Sequence, residues 1–294
     1  MVVSLEGVAK RYGDVEALKG IDLKVEPGEL VALLGPNGAG KTTAISIILG
    51  LRQPTAGTAT LFGLPPSDRQ ARSRAGIMLQ ESGVPTVLKV RELVDLFRGY
   101  YPRPLPTASA IELAGLEEKA DAKVSTLSGG QHQRLYFALA IAGDPDVLFL
   151  DEPTVGLDVD GRRRFLESIR RFHESGKTIL LTTHYLDEAD ELAERVVVID
   201  RGRIIADASP REIKARVAGR RVSFLSDAFD HAVPDGAAVT SVERRGERTV
   251  ILTNSAEQVV RRLLERVPDL RELEVVGADL EEAFVALTHE GGKG

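Results

Sequence analysis

A glycine-rich stretch near the start of the chain has the residue types and the spacing that bind phosphate. It comprises Gly35, Pro36, Asn37, Gly38, Ala39, Gly40, Lys41, Thr42 and Thr43. The stretch fits the pattern G-x-x-x-x-G-K-[ST], whose glycines let backbone N–H groups turn inward around phosphates. In such a loop the Lys41 side chain reaches the β- and γ-phosphates, and the Thr42 hydroxyl ligates Mg²⁺. These residues therefore predict a binding site for ATP with Mg²⁺.

Two carboxylates stand where a second part of such a site is expected. The apolar run 147–150 is followed directly by Asp151 and Glu152. Ligands of an open parallel sheet bind at the carboxyl ends of its strands. Asp151 is therefore expected to hold Mg²⁺, usually through a water molecule, and Glu152 to accept a proton from the attacking water. Two acids that merely cap a surface strand are the alternative, and the phosphate loop in the same chain favours the catalytic interpretation.

The elements that must position these residues alternate between apolar runs and amphipathic segments. Short apolar runs predict buried strands at 29–34, 147–150, 178–183 and 195–200. Helical spacing of apolar residues predicts helices at 41–51, 88–100, 109–120, 129–142, 160–174 and 185–193. Such alternation predicts an α/β fold, with a parallel sheet that carries helices on its faces. Residues 2–25 alternate apolar and polar positions instead, which predicts two or three antiparallel strands.

The composition shifts near residues 207–210, and a different arrangement follows. Helical patterns at 210–218, 255–267 and 279–289 are interleaved with strand-like runs at 221–225, 248–253 and 271–276. We therefore predict a main domain over residues 1–210 and a small α+β accessory domain over residues 211–294.

A short motif ahead of the acidic strand adds a second surface that could bind phosphate. It consists of Leu127, Ser128, Gly129, Gly130 and Gln131. Ser128 can cap the helix that follows, and the two glycines expose backbone N–H groups at the start of that helix. A simple helix cap is the alternative. The motif Leu-Ser-Gly-Gly-Gln at this place resembles the signature of the ABC (ATP-binding cassette) ATPases.

The resemblance implies roles for four further residues. Tyr12 corresponds to the aromatic residue that stacks on adenine, although a tyrosine in a turn would look the same. Gln80 corresponds to the glutamine that senses Mg²⁺ and the transmembrane partner. Asp158 matches an aspartate in a loop that contacts the second subunit of a dimer. His184 matches the histidine that contacts the γ-phosphate.

The resemblance covers residues 1–210 and implies the P-loop NTPase fold. That fold has a RecA-like parallel-sheet core, an N-terminal antiparallel β-subdomain and a helical subdomain, here near residues 85–143. The resemblance also implies that the chain hydrolyses ATP as a dimer, in which each phosphate loop faces the signature of the other subunit. One chain carries one loop and one signature, so a homodimer or a paired ATPase is expected.

Bulk composition limits where the chain could work and on what. The chain has 294 residues, a formal net charge of −6 and no cysteine. The acidic balance argues against nucleic acid as a partner, and the lack of cysteine excludes disulfides and thiolate metal sites. The start of the sequence lacks a signal peptide, and no apolar run reaches the roughly 20 residues that span a bilayer. We expect a cytoplasmic protein held at the inner face of the membrane by a separate permease.

The sequence indicates less directly which cellular process the ATP hydrolysis drives. The segment 278–288 resembles the C-terminal part of exporter ATPases that serve drug, antibiotic and polysaccharide efflux, among them the daunorubicin-resistance ATPases. This favours the ATP-binding subunit of an exporter of a drug-like, antibiotic, lipid or polysaccharide substrate. The alternative is a non-transport ABC ATPase in translation or DNA repair, although the single cassette and the short span between Gln80 and Ser128 disfavour it. A P-loop kinase would have no use for the signature.

Overall fold

The computed structural model describes residues 1–78, 83–216, 220–226, 239–277 and 279–290. The chain divides into two compact units, Met1–Ser209 and Pro210–Gly294. Within the described ranges, no helix combines the length and the apolar character that crossing a bilayer requires.

The first unit is built from strands and helices that largely alternate along the chain. Its strands are β1 Val3–Tyr12, β2 Val15–Val25, β3 Leu30–Leu34, β4 Ala56–Leu61, β5 Ala75–Met78, β6 Val147–Asp151, β7 Thr178–Thr182, β8 Arg195–Asp200 and β9 Arg203–Ala208. Its α-helices are α1 Lys41–Ile48, α2 Arg69–Arg72, α3 Val90–Arg98, α4 Thr107–Leu113, α5 Gly129–Ile141, α6 Val159–Glu174 and α7 Leu186–Leu192. Two short 3₁₀ helices lie at Glu117–Lys119 and Val124–Thr126.

A six-stranded sheet in the order β5-β6-β7-β3-β8-β9 forms the centre of this unit. Neighbouring strands are parallel from β5 to β8, and β9 pairs antiparallel with β8. Every residue of β3, β6 and β7 is buried. Continuous apolar runs are typical of parallel strands that are covered on both faces. The predicted α/β class with a parallel sheet is therefore confirmed.

A second sheet, which is antiparallel and has the order β2-β1-β4, is formed by strands from the N-terminal part of this unit. The predicted strands of residues 2–25 form the hairpin β1–β2, whose turn places Gly13 at a φ of 56°. The third strand, β4, comes from farther along the chain and was not expected. It pairs with β1 from Val3 opposite Leu61 to Ala9 opposite Ala56. Its apolar side chains join those of β1, β2 and α1 in one core.

Between β5 and β6 the residues that the structure describes are mainly helical. The helix expected at 109–120 is shorter than predicted, because α4 ends at Leu113 and Gly115 then adopts a φ of 63°. The left-handed conformation at glycine terminates a helix without a Cβ penalty. Arg134 of α5 donates a hydrogen bond over 2.9 Å to the carbonyl oxygen of Gly115, which ties the end of α4 to α5.

The second unit contains a four-stranded antiparallel sheet in the order β11-β12-β10-β13. Its elements are α8 Pro210–Arg216, β10 Arg220–Leu225, β11 Val239–Arg245, β12 Arg248–Thr253, α9 Ala256–Arg266, β13 Arg271–Gly277 and α10 Leu280–Glu290. A small core joins one face of the sheet to α9, with Val222, Phe224 and Ile251 packed against Val259 and Leu263. The strand β11 was not expected from the sequence.

Candidate functional site

The glycine-rich loop joins the end of β3 to the start of α1, and the local backbone requires its glycines. Gly38 and Gly40 have φ values of 81° and 115°. A Cβ added to Gly40 would lie 2.7 Å from the carbonyl oxygen of Ala17, and one added to Gly35 would lie 2.2 Å from that of Ile199. The loop is therefore pressed against the backbone of β2 and β8, which only glycine permits at these two positions.

Lys41 begins α1, and its side chain is buried against the loop. Its Nζ donates hydrogen bonds to the carbonyl oxygens of Gly35 over 2.6 Å and of Pro36 over 3.3 Å. Burial lowers the pKa of the Lys41 amine, and attraction to Glu152 and Asp151 opposes this shift. An ammonium group has three donors, so two carbonyl contacts leave one for a phosphate oxygen. A buried cation in this position favours an anionic ligand.

A cavity of about 390 Å³ opens over the loop. Its lining consists of Ala17, Asn37, Gly38, Ala39, Gly40, Lys41, Thr42, Thr43 and Glu152. The structure thus brings the glycine-rich loop and one of the two candidate carboxylates to the same space, although more than 100 residues separate them in the sequence. The cavity has the size range of small-molecule sites.

The two carboxylates lie at the carboxyl end of β6. Asp151 is buried, and its Oδ1 accepts a hydrogen bond from the hydroxyl of Thr182 on the neighbouring strand β7. Glu152 has a φ of 48°, which is unusual for a residue with a side chain. Its backbone N–H donates over 3.1 Å to the carbonyl oxygen of Thr182. Strained backbone of this kind is often found at functional sites, where the surrounding structure holds it.

His184 follows the end of β7, and its imidazole lies beside the Glu152 carboxylate. Its Nδ1 lies 3.5 Å from Oε2 of Glu152. The imidazole is 45% exposed, and its ring centroid lies 4.1 Å from that of Tyr185. A half-exposed imidazole beside a carboxylate can contact both a ligand and the group that activates water. The structure therefore brings together Glu152 and His184, which the sequence only places in separate loops.

The donor set at this site fits Mg²⁺. Mg²⁺ is usually bound through one or two carboxylates together with substrate phosphates and water. The exposed Thr42 hydroxyl and the Asp151 carboxylate are hard oxygen donors. In the part of the chain that the structure describes, no group of three or more His, Cys, Asp or Glu side chains could hold a metal by itself. Gln80, the third expected ligand, lies outside the described residues.

Tyr12 ends β1, and its ring is 39% exposed. Lys10 Nζ lies 5.2 Å and the Arg52 guanidinium 5.5 Å from the centroid of that ring. Tyr12 does not belong to the described residues that line the cavity over the loop. Its assignment to adenine therefore remains a prediction.

The signature lies at the start of α5, where it forms a complete cap. The Ser128 N–H donates to Gln131 Oε1 over 2.9 Å, and the Gln131 N–H donates to Ser128 Oγ over 3.3 Å. Residues 128–131 line a second cavity of about 950 Å³, to which Asp158 also contributes. Asp158 caps α6 by accepting a 2.7 Å hydrogen bond from the Gly161 N–H. Leu127, the first residue of the signature, is buried just before the cap. In one chain the signature and the phosphate loop therefore line different cavities.

Thr182 contributes to the site but was not selected from the sequence. Its hydroxyl holds Asp151, and its carbonyl oxygen accepts a hydrogen bond from the N–H of Glu152. The signal was present, because Thr182 ends the buried strand β7 and Thr183 follows it directly, at the edge of the sheet where ligands bind. Polar residues in such a place are buried only when they have hydrogen-bond partners.

Comparison with known proteins gives one family. Residues 18–155 match the family described as ABC transporter. The Nod factor export ATP-binding protein I of Burkholderia orbicola (strain AU 1054) is 40% identical over 295 residues, which cover 97% of this chain and 96% of that protein. The protein of the same name from Paraburkholderia xenovorans (strain LB400) has the same identity and coverage. This likeness extends into the second unit.

Solved structures match a smaller share of the chain. A dimeric ATP-binding cassette in a post-hydrolysis state, bound to ADP and Pi, is 28% identical with a TM-score of 0.63, and the match covers 70% of this chain and 98% of that chain. The structure of cbiO1 from Clostridium perfringens, part of the ABC transporter complex cbiONQ, is 30% identical with a TM-score of 0.66. That match covers 73% of this chain and 90% of that chain.

Proposed function

The chain belongs to the ABC transporter ATP-binding proteins and is an ATPase of that family, and on this premise we propose that it powers export through a separate membrane permease. The observation that supports ATP hydrolysis best is the shared cavity of the phosphate loop and Glu152, with His184 Nδ1 3.5 Å from that carboxylate. Support for export comes from the relative named for Nod factor export, which aligns with 97% of this chain.

We further propose how the chain holds ATP. The loop N–H groups and Lys41 bind the β- and γ-phosphates, while Tyr12 stacks on adenine. Thr42, Asp151 and Gln80 would hold Mg²⁺, which would offset phosphate charge. Glu152 accepts the proton of the attacking water, and His184 donates to the γ-phosphate. Positioning and electrostatics supply most of the catalysis in phosphoryl transfer.

A second copy of the chain completes the site in this proposal. The loop and the signature line separate cavities within one chain, which supports a site in which the signature N–H groups of a partner reach a phosphate held by the loop. The exposed side chain of Val159, which follows Asp158 at the start of α6, suits a surface that meets another subunit. A homodimer or a paired ATPase satisfies this requirement.

The substrate class follows only from resemblance. The C-terminal segment resembles that of daunorubicin-type exporter ATPases, and the curated relatives are named for Nod factor export. We propose a drug-like, antibiotic, lipid or polysaccharide substrate, carried by the permease and not by this chain.

The ATPase works on the cytoplasmic face of the membrane, and nucleic acid is not a partner.

Affinity purification from detergent-solubilised membranes tests the transport role. We expect a tagged chain to recover one protein with several membrane spans in a fixed ratio, and to be released from membranes that lack this protein. The same tag on an unrelated ATPase is the control. Recovery of only ribosomal or DNA-bound proteins would contradict the transport role and would favour the non-transport alternative.

A further inference from the structure

Helix α7 carries a buried carboxylate, Glu188, to which the proposed mechanism gives no part. Its side chain is only 2% exposed. A carboxylate is costly to bury unless hydrogen bonds and opposite charge compensate it. The groups that compensate Glu188 therefore indicate what the burial achieves.

Two threonine hydroxyls donate to this carboxylate, and both come from loops of the candidate site. Thr154 Oγ1 donates to Oε1 over 2.6 Å, and Thr183 Oγ1 donates to Oε2 over 2.8 Å. Thr154 stands two residues after Glu152, and Thr183 directly precedes His184. One carboxylate thus joins the segment that carries the proposed base to the segment that carries the proposed phosphate ligand.

The hydroxyl of Thr183 also shapes the backbone around His184. It accepts a hydrogen bond over 2.9 Å from the N–H of Tyr185, which closes a turn with His184 in the middle. A hydroxyl that donates to Glu188 has its lone pairs turned toward the Tyr185 N–H. Loss of the carboxylate would free this hydroxyl to rotate and would loosen the turn.

Arg162 of α6 supplies the opposite charge and a contact to the imidazole. Its Nε lies 3.4 Å from Glu188 Oε1, and its guanidinium lies 3.9 Å from the ring centroid of Tyr185. The Tyr185 ring in turn lies 4.1 Å from that of His184. Arg162 Nε is buried and makes no hydrogen bond within the described residues, so the ion pair with Glu188 compensates the burial of its charge. Glu188 is thus paired with the guanidinium that lies against Tyr185, whose ring lies against His184.

We propose that Glu188 is a positioning residue that fixes the His184 imidazole relative to Glu152. The inference rests on the proposed function, in which His184 contacts the γ-phosphate. His184 Nδ1 and Glu152 Oε2 are 3.5 Å apart, a distance that a small backbone shift would change. A misplacement of about 1 Å in an active site can cost on the order of 100-fold in rate.

The test compares Glu188→Gln with Glu191→Gln in the full chain. Glu191 lies on the same helix, is half exposed and pairs with Arg170 over 2.9 Å, so it controls for loss of a charge from α7. We expect Glu188→Gln to lower kcat by about 10- to 100-fold, because the imidazole loses its fixed position. The affinity for ATP should change less than about twofold, since the loop is not touched. Glu191→Gln should change neither quantity.

A second pair of variants separates positioning from general stability. In a His184→Ala background, Glu188→Gln should add no further loss in kcat, because residues that act through one group are not additive. Thr183→Val should reproduce the loss and Thr183→Ser should restore turnover, which keeps the test open if Glu188→Gln does not fold. Wild-type kcat in Glu188→Gln, or a full additional loss in the His184→Ala background, would overturn the inference.

The same data distinguish failure of this inference from failure of the proposed function. If His184→Ala keeps wild-type turnover, the role of His184 in the proposed function is wrong, and the positioning role of Glu188 falls with it. If His184→Ala loses turnover while Glu188→Gln does not, only the positioning role is wrong.

Discussion

Replacement of Glu152 by glutamine is expected to lower ATP turnover by about 100- to 10,000-fold while ATP still binds. General-base assistance contributes on this scale, and an amide cannot accept the proton of the attacking water. Glutamine keeps the shape of the side chain beside His184, so the backbone at φ 48° should be retained. Release of phosphate in steady state and binding of a fluorescent ATP analogue measure the two quantities separately.

Glu112→Gln is the matched control, because Glu112 is an exposed carboxylate on α4 that does not line the cavity over the loop. It should leave turnover unchanged. A Glu152→Gln chain that hydrolyses ATP at the rate of the unaltered chain would show that another group accepts the proton. The assignment of the base would then be wrong even though the cavity still binds ATP.

Replacement of Lys41 by alanine is expected to weaken ATP binding by about 10- to 150-fold. A hydrogen bond to a charged group contributes about 1.5–3 kcal/mol, and about 1.4 kcal/mol corresponds to a tenfold change in affinity. Lys41 Nζ already donates to the carbonyl oxygens of Gly35 and Pro36, so its removal also loosens the loop that presents the N–H groups. Titration calorimetry with ATP and Mg²⁺ measures the affinity.

Lys177→Ala is the matched control, because Lys177 is also a lysine whose side chain is largely buried. Lys177 pairs with Asp144 over 2.7 Å, and it lies outside the cavity over the loop. Its replacement should lower the melting temperature but leave ATP affinity unchanged. Equal affinity of the Lys41→Ala chain and the unaltered chain would reject the loop as the phosphate site.

Much of the candidate site could be predicted because its chemistry is local. Gly38 and Gly40 adopt positive φ values within the loop itself, and Ser128 caps the helix that starts one residue later. Asp151 and Glu152 were recognisable because buried parallel strands read as apolar runs that end at the ligand edge. Each of these signals spans fewer than about ten residues, as expected for turn and cap chemistry.

The strands that were missed depend on distant partners. β4 has mostly small, exposed residues, and only its register against β1 makes it a strand. β9 is likewise specified by its antiparallel pairing with β8 rather than by a strong apolar pattern. Strand propensity depends on neighbouring strands more than on the segment itself, so such elements give little signal in the sequence.

The role of Glu188 also required the fold. Helix α7 contains four acids, Asp187, Glu188, Asp190 and Glu191, and composition does not distinguish them. Helical spacing does give a partial signal, because Glu188 stands four residues before the buried Leu192 and beside the buried Ala189. That the same carboxylate meets Thr154 and Thr183 could be seen only once β6, β7 and α7 were packed together.

In the proposed dimer, one loop and one signature from different chains form each ATP site, and the mass of the Glu152→Gln chain shows whether they do. Light scattering after size-exclusion chromatography should give 31.8 kDa with ADP and twice that mass with ATP and Mg²⁺. Adding Ser128→Arg, which places a long side chain at the signature, should keep the ATP-bound chain at the lower mass. The shared site would be contradicted if the Glu152→Gln chain were saturated with ATP yet kept the mass of one chain. It would also be contradicted if the chain that carries both Glu152→Gln and Ser128→Arg formed the dimer equally well.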